Sequence, residues 1–193
     1  ERKAGTVGMV LEDVEIRVVG LESKDEVKKN GDIGVVEVKG PNVFRGYWKQ
    51  PEKTKSEFRD DGFFITGDVG FLDQDNYLTI VGRNKDLIIT GGLNVYPKEI
   101  ETVIDQNSSV EESAVVGVYH PDFGEGILAI IVEKKGHSVN IDILNEVLRK
   151  NLATFKLPKK IHVIKQLPRN SMGKVQKNVL RDIYKDQFSD SNK

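Results

Sequence analysis

The chain has 193 residues, of which 38% are hydrophobic and 31% are charged, and its formal net charge is −1. This length suits one large or two small domains, and the composition is ordinary for a soluble globular protein. The balanced charge argues against a protein that binds nucleic acid through bulk positive charge. The absence of cysteine excludes disulfides and thiolate metal sites.

Targeting signals are missing from the sequence. No apolar run approaches the ~20 residues that a transmembrane helix needs, and no signal peptide opens the chain. We therefore expect a cytoplasmic protein without a transmembrane segment. The chain begins with Glu1 rather than methionine, so we expect a fragment of a longer protein.

Residues 1–81 carry the alternating pattern that is typical of β-strands. Val14, Ile16 and Val18 share one face of the first predicted strand. Further strands are predicted at residues 35–39, 71–72 and 77–81. The last two form a hairpin joined through residues 73–76, and a short helix is predicted at 51–59. Three neighbouring aromatic residues are predicted to form a small core under a loop: Phe44, Tyr47 and Trp48.

From Arg83 onward the pattern changes to mixed helices and strands. Helices are predicted at residues 97–107, 140–152 and 176–188. Strands are predicted at residues 87–89, 114–118, 127–133 and 161–164. The fold class is therefore α+β: a β-rich domain at 1–82 precedes a small α+β domain at 83–193, whose antiparallel sheet carries flanking helices.

Residues 82–101, GRNKDLIITGGLNVYPKEIE, connect the two predicted domains. They read as a charged turn, a short strand, a glycine loop and a helix that begins at Pro97, since proline is favoured at the first helical position. Glu99 and Glu101 lie in the first turns of that helix, where carboxylates complement the helix dipole.

One acidic and one basic residue are candidates for a nucleotide site. Asp68, in the predicted turn Thr66-Gly67-Asp68, offers two acceptor oxygens that suit the two hydroxyls of a ribose. Arg83 offers a planar fork of donors for phosphate or ribose oxygens. The alternatives are a purely structural turn for Asp68 and a salt bridge for Arg83.

A third candidate lies in the loop LPRNSMGKVQK, residues 167–177. Gly173 frees the backbone beside Lys174, and a lysine on a loop can reach into a cleft. The loop is not a phosphate-binding P-loop, because Pro168 and Val175 stand where that motif needs glycine and a hydroxyl residue. The alternative is a solvated surface charge. The three histidines lack metal-ligand spacing, so no metal site is predicted: His120, His137 and His162.

Four segments occur in a characteristic order: GVVEVKGPNVFRGYW, GFFITGDVG, GRNKDLIITGGLNVYPKEIE and LPRNSMGKVQKNVLR. Together they resemble the ATP-dependent adenylate-forming (AMP-binding) enzymes, which include acyl-CoA synthetases, firefly luciferase and the adenylation domains of peptide synthetases. The resemblance runs from about residue 5 to residue 181. The segments YHPDFGEG, FKLPKK and LPRNSMGKVQK are most similar to malonyl-CoA synthetases and related acyl-CoA ligases.

The resemblance implies what each domain is. Residues 1–82 would be the C-terminal β-rich subdomain of the large adenylating domain, and residues 83–193 the small mobile C-terminal domain. The family's phosphate loop and its aromatic-Gly-x-Thr-Glu segment, which hold ATP and Mg²⁺, do not occur in this sequence. They would lie upstream, so we expect the fragment to be inactive alone.

The resemblance also implies a reaction and its residues. A carboxylic acid reacts with ATP to give an acyl-adenylate, and coenzyme A then releases AMP. Asp68 would bind the ribose hydroxyls, with Arg83 assisting at ribose and phosphate. Lys174 would be the catalytic lysine of adenylation, because its ammonium meets the charge that develops between carboxylate and phosphate.

Between the two steps the small domain of this family rotates, and Lys85 occupies the hinge position. Gly91 and Gly92 would line the tunnel for the pantetheine of coenzyme A. Phe155 and Lys159 would contact its nucleotide end, although these residues could equally only turn the chain.

The predicted substrate is malonate or another short dicarboxylate. The alternatives are a fatty or aryl acid–CoA ligase, an adenylation domain that loads a carrier protein, and a non-catalytic interaction module. Lys174 also resembles sites at which a lysine acetyltransferase inactivates such ligases, since acetylation would remove the charge that adenylation needs.

Overall fold

The computed structural model describes residues 2–21, 23 and 26–189. These residues form two compact units, which divide between Lys85 and Asp86. The identity of the two units as the domains 1–82 and 83–193 of an adenylating enzyme stays a prediction. Within the described part of the chain, no helix is both long and apolar enough to cross a membrane.

The first unit is built on a four-stranded antiparallel sheet. Its strands are β1 (Glu15–Val19), β2 (Gly34–Lys39), β3 (Phe64–Leu72) and β4 (Leu78–Arg83). They pair in the order β1-β2-β3-β4, so the predicted strands and the β3–β4 hairpin are confirmed. The predicted short helix is α1 (Pro51–Glu57), which begins at the proline and ends two residues early.

Strand β3 is much longer than predicted, and it contains the segment Thr66-Gly67-Asp68. The prediction of a turn there is therefore wrong. Between two pairs with β2, strand β3 contributes residues 66–68 where β2 contributes only Val36. The segment is thus a β-bulge, a feature that re-aims side chains at the edge of regular pairing. Gly67 has a φ of 72°, in the left-handed region that glycine adopts at little cost.

An aromatic cluster forms under the loop that follows β2. The Phe44 ring lies 5.0–5.5 Å, centroid to centroid, from three other rings: Tyr47, Phe58 and Phe64. The prediction is wrong for Trp48, which is 84% exposed. Two rings that are distant in sequence, Phe58 and Phe64, complete the cluster instead.

A fully buried carboxylate joins three parts of the first unit. Glu37 of β2 accepts hydrogen bonds from Arg17 Nε at 2.8 Å and from Arg59 Nε at 2.7 Å. Arg17 also donates to Asp61 at 2.6 Å and lies 3.9 Å from the Phe63 ring centroid. Burial of an ionised carboxylate is tolerated only when such partners replace its water.

In its described residues, 86–189, the second unit contains five strands and three α-helices. The strands are β5 (Ile88–Thr90), β6 (Leu93–Val95), β7 (Val110–His120), β8 (Gly124–Glu133) and β9 (Lys160–Ile164). The helices are α2 (Pro97–Asp105), α3 (Ile141–Asn151) and α4 (Lys177–Ile183). The predicted α+β character is confirmed, and α4 is shorter than the predicted range 176–188.

Strand β8 is the centre of the second sheet. Strand β7 pairs with one edge of β8, and β5 and β9 share the other edge, with β6 outside β5. All pairs are antiparallel except β8–β9, which the predicted antiparallel sheet did not anticipate. The chain between these two strands contains α3, and a connection of that length permits parallel pairing.

Helices cover both faces of this sheet. One face packs against α2 and α3, and the other packs against α4 and the segments around it. Because both faces are buried, β8 carries the uninterrupted apolar run ILAIIV rather than an alternating pattern. Asn140 is the N-cap of α3, and its side-chain oxygen accepts from the N–H groups of Asp142 and Ile143.

We predict that Glu37→Gln destabilises the first unit by about 3 kcal/mol, the lower end of the range for a broken buried ion pair. The lower end applies because the Arg17 and Arg59 side chains remain 23% and 22% exposed. Urea unfolding followed by circular dichroism measures the change.

The control is Glu15→Gln on the neighbouring strand, where the carboxylate is largely exposed and lies 4.0 Å from Lys39. This variant should lose less than about 1 kcal/mol. Equal stability of the two variants would show that the buried pair contributes nothing.

Candidate active site

The β-bulge in β3 fixes the position of Asp68. The Thr66 hydroxyl donates to the Val36 carbonyl at 2.8 Å and accepts from the Asp68 N–H at 3.0 Å. The side chain of Thr66 thereby replaces ladder hydrogen bonds that the bulge interrupts. As a result the Asp68 side chain projects from a fixed position on the strand, and it is 29% exposed.

Asp68 and Arg83, which the sequence suggested separately, lie opposite each other on β3 and β4. Arg83 Nε lies 2.9 Å from Asp68 Oδ1 in an ion pair, and a terminal nitrogen of Arg83 donates to the Thr66 carbonyl at 3.0 Å. The salt bridge considered as the alternative for Arg83 is therefore formed. The Arg83 side chain is still 53% exposed, so the pair presents both an acceptor and a cation to a ligand.

A pocket of about 400 Å³ adjoins this pair. Its lining combines polar and aromatic residues: Tyr47, Glu57, Phe64, Ile65, Thr66, Gly67, Arg83, Asn84 and Lys85. Tyr47 donates a hydrogen bond to the Glu57 carboxylate, which raises the pKa of the Tyr47 phenol above its usual value.

Glu57 lines the pocket but was not predicted from the sequence. It is the last residue of α1, and nothing in the local pattern distinguishes it from a solvated helix residue. Lys85, the predicted hinge, lines the same pocket and lies in a single 3₁₀ turn, Asn84–Asp86, at the division between the units.

The glycine loop is a two-residue turn between β5 and β6. Gly91 and Gly92 have φ values of 57° and 77°, as a type I′ hairpin turn requires. A Cβ would meet nothing within 4 Å at Gly92 and would make only an ordinary contact, 3.7 Å from Phe123, at Gly91. Within the unit, backbone conformation rather than crowding therefore accounts for these glycines.

Phe123 brings two of the predicted coenzyme A contacts together. Its carbonyl accepts from the Gly91 N–H at 2.9 Å, and its ring centroid lies 4.0 Å from the Lys159 ammonium. Phe123 was not among the residues predicted to contact coenzyme A. Phe155 is 41% exposed, and among the described residues its ring does not contact that of Phe123.

Lys174 lies near the end of a compact exposed loop. The loop is closed by a bridge between Arg169 and Val175 and by the Gln176 N–H, which donates to the Pro168 carbonyl at 2.8 Å. No side chain within the described ranges pairs with the Lys174 ammonium. The ammonium is therefore available to a ligand. Its exposure also agrees with the alternative of a solvated surface charge.

A buried ion pair anchors the far end of this loop. Lys177, the first residue of α4, lies 2.6 Å from Glu101 of α2, which is only 7% exposed. Glu101 also accepts from the Val115 N–H at 2.9 Å. From the sequence Glu101 was expected to complement the helix dipole, whereas its partners come from β7 and α4.

No group of three or more potential metal ligands occurs among residues 2–21, 23 and 26–189.

Comparison with known proteins identifies a matching domain family and similar proteins. Residues 99–174 match the AMP-binding enzyme C-terminal domain. The structure is similar to ATP-bound MatB from Rhodopseudomonas palustris, with a TM-score of 0.89 and 56% identity over 97% of this chain and 37% of that chain.

The chain is also similar to several CoA ligases. The malonate–CoA ligase of Arabidopsis thaliana is 38% identical over 96% of this chain and 32% of its own length. A long-chain-fatty-acid–CoA ligase of Haemophilus influenzae is 41% identical over 92% of this chain and 31% of its own length. The chain thus spans about a third of the length of these relatives.

Proposed function

The chain belongs to the adenylate-forming (AMP-binding) enzyme superfamily, and we propose that the whole protein is an AMP-forming acyl-CoA synthetase. In the first step the carboxylate of an acid attacks the α-phosphate of ATP, which gives an acyl-adenylate and releases pyrophosphate. In the second step the thiol of coenzyme A attacks the acyl carbon, loses its proton and displaces AMP.

The exposed ammonium of Lys174, presented by an ordered loop, carries this proposal. Lys174 is the last residue of the matched C-terminal domain. Negative charge accumulates around the α-phosphate when the carboxylate attacks, and a fixed cation stabilises that charge more than it stabilises the ground state. Lys174 would act in this first step and have little part in the second.

Asp68 and Arg83 are proposed to hold the ribose and phosphate end of the nucleotide. The Asp68 carboxylate can accept from both ribose hydroxyls, and Arg83 can donate to phosphate or ribose oxygens. Their ion pair keeps each side chain in place before the nucleotide arrives, so less conformational entropy is lost on binding.

Lys85 is proposed to be the hinge about which the second unit rotates between the two steps. It is the last residue before the division between the units, and a hinge of this kind absorbs the change in a few backbone dihedrals. Gly91 and Gly92 are proposed to line the path of the pantetheine. Phe155 and Lys159 are proposed to contact the nucleotide of coenzyme A, where Lys159 supplies positive charge to phosphate.

The proposed acid is malonate or another short dicarboxylate. Two observations support it: the amino-acid sequences of YHPDFGEG, FKLPKK and LPRNSMGKVQK, and the similarity to the malonate–CoA ligase of Arabidopsis thaliana. A fatty acid is the second candidate, because a long-chain-fatty-acid–CoA ligase is similarly related, at 41% identity. We propose that the acid pocket, the Mg²⁺ ligands and the rest of the ATP site lie in other parts of the full-length protein, and that it works in the cytoplasm.

We expect Lys174→Ala in the full-length protein to slow adenylation by roughly 10²–10³-fold, comparable to the loss of one preorganised donor. Pyrophosphate release is measured with ATP and a panel of malonate, succinate, an aryl acid and a long-chain fatty acid. The second step, measured from a preformed acyl-adenylate and coenzyme A, should change only a few-fold.

The matched control is Lys165→Ala, an exposed lysine in the same unit, which should keep both rates. Activity with malonate that Lys174→Ala abolishes would support both the acid and the lysine. Activity only with the fatty or aryl acids would retain the reaction and reject malonate. A folded protein that adenylates none of these acids would reject the proposed enzyme.

The glycine loop tests the proposed pantetheine path. Gly91→Asn creates the Asn-Gly pair that type I′ turns favour, so the hairpin should stay folded while a side chain enters the path. We expect thioester formation from acyl-adenylate to fall at least about tenfold, because displaced reactants lose their near-attack geometry, while adenylation is unchanged.

Gly136→Asn is the control, since Gly136 has a similar φ of 79° and open space around it but lies outside the proposed site. Equal thioester rates in the two variants would argue that the glycine loop has only a structural role.

Acetylation of Lys174 by a lysine acetyltransferase stays a separate prediction, because it would neutralise the proposed catalytic charge. Peptide mass spectrometry of the protein from starved cells should detect the modified lysine. Detection of only unmodified Lys174 under these conditions would contradict it.

A further inference from the structure

The position of the Lys174 ammonium is set through the backbone of its loop. The side chain is exposed and has no partner within the described residues, so no side-chain contact holds it. A lysine side chain has four rotatable bonds, and any movement of its Cα atom adds to the range of positions that the ammonium can reach. How accurately Lys174 can meet a reacting group therefore depends on how firmly the loop fixes residue 174.

Both backbone polar groups of Lys174 bond to a single residue, Asn170. The Lys174 N–H donates to Asn170 Oδ1 at 2.9 Å, and the Lys174 carbonyl accepts from the Asn170 N–H at 3.0 Å. Asn170 Oδ1 also accepts from the Met172 N–H at 3.0 Å, and the Asn170 carbonyl accepts from the Gly173 N–H at 2.9 Å. Four hydrogen bonds thus fold residues 170–174 around one asparagine.

The neighbours of Asn170 connect this small turn to the body of the second unit. Arg169 donates to the Gly173 carbonyl at 2.5 Å and forms an ion pair with Glu112 of β7. Beyond the loop, Lys177 pairs with the buried Glu101. These contacts hold the two ends of the loop. The backbone of Lys174 itself is held by its two hydrogen bonds with Asn170.

We propose that Asn170 is a positioning residue for Lys174 in the adenylation step. This inference rests on the proposed function and adds to it a residue that does not touch the substrate. The Asn170 side-chain oxygen is the essential atom, because it accepts from two N–H groups that would otherwise face solvent. When that oxygen is removed, the turn loosens and the ammonium samples positions away from the reacting phosphate.

The test uses the full-length protein with three substitutions. Asn170→Ala removes the acceptor, and Asn170→Asp keeps two oxygens that can accept the same N–H groups. Ser171→Ala is the matched control, because the Ser171 hydroxyl is exposed and has no hydrogen-bond partner among the residues described. For each, the adenylation rate comes from pyrophosphate release, and the thioester rate comes from preformed acyl-adenylate and coenzyme A.

Asn170→Ala should lower kcat for adenylation by roughly 10–100-fold, as displacement of a catalytic group by about 1 Å does. Its KM for ATP and its thioester rate should stay near the wild-type values, and the latter shows that the unit is folded. Asn170→Asp should stay within about threefold of wild type, since the acceptor is restored.

Two results would overturn the inference: an adenylation rate in Asn170→Ala equal to that of Ser171→Ala, or equal losses in both half-reactions. Lys174→Ala, measured alongside, separates this inference from the proposed function. If Lys174→Ala keeps full adenylation, the proposed role of the lysine fails first. If only Lys174→Ala is impaired, the lysine role stands and the role of Asn170 is rejected.

Discussion

The packing of the second unit depends on how the unpaired edge of β7 finds hydrogen-bond partners. Strand β7 pairs with β8 on one side only, so some of its N–H groups need partners from outside the sheet. The Glu101 carboxylate supplies one by accepting from the Val115 N–H. Its negative charge, buried at this edge, then requires a cation, and Lys177 provides it at 2.6 Å.

This one carboxylate therefore joins α2, β7 and the first residue of α4. The consequence for function lies in the chain just before α4, where the loop that carries Lys174 is held at its far end by Lys177. Arg169, through Glu112, holds the near end to the same strand. A buried ion pair contributes little net stability, but removing one partner is costly, so the arrangement is better understood as fixing geometry.

The first unit solves a similar problem in a different way. The bulge in β3 breaks regular pairing with β2, and the Thr66 hydroxyl replaces the missing contacts by bonding to Val36 and Asp68. The same bulge directs Asp68 toward Arg83 on β4. In both units, a polar group that the sheet leaves unsatisfied determines where a candidate catalytic or binding side chain is placed.

These arrangements agree with chemistry that relies on positioning and electrostatics. Adenylation and thioester formation need charges fixed in advance more than they need an unusual nucleophile in the enzyme. The Asp68–Arg83 pair and the Lys174 loop are each held by ion pairs and hydrogen bonds within their own unit. The motion proposed for this reaction is a change in backbone dihedrals at Lys85, the proposed hinge.

The sequence alone determined the fold class, the order of most helices and strands, and the residues Asp68, Arg83 and Lys174 as candidates, because periodicity and motif order are local properties of the chain. It did not reveal the bulge at Thr66-Gly67-Asp68 or the exposure of Trp48. Nor did it reveal the partners of Glu101 and Glu37, or the contacts of Phe123 with Gly91 and Lys159. Each of these depends on residues that are distant in sequence and meet only when strands pair and helices pack, so only the tertiary structure could decide them.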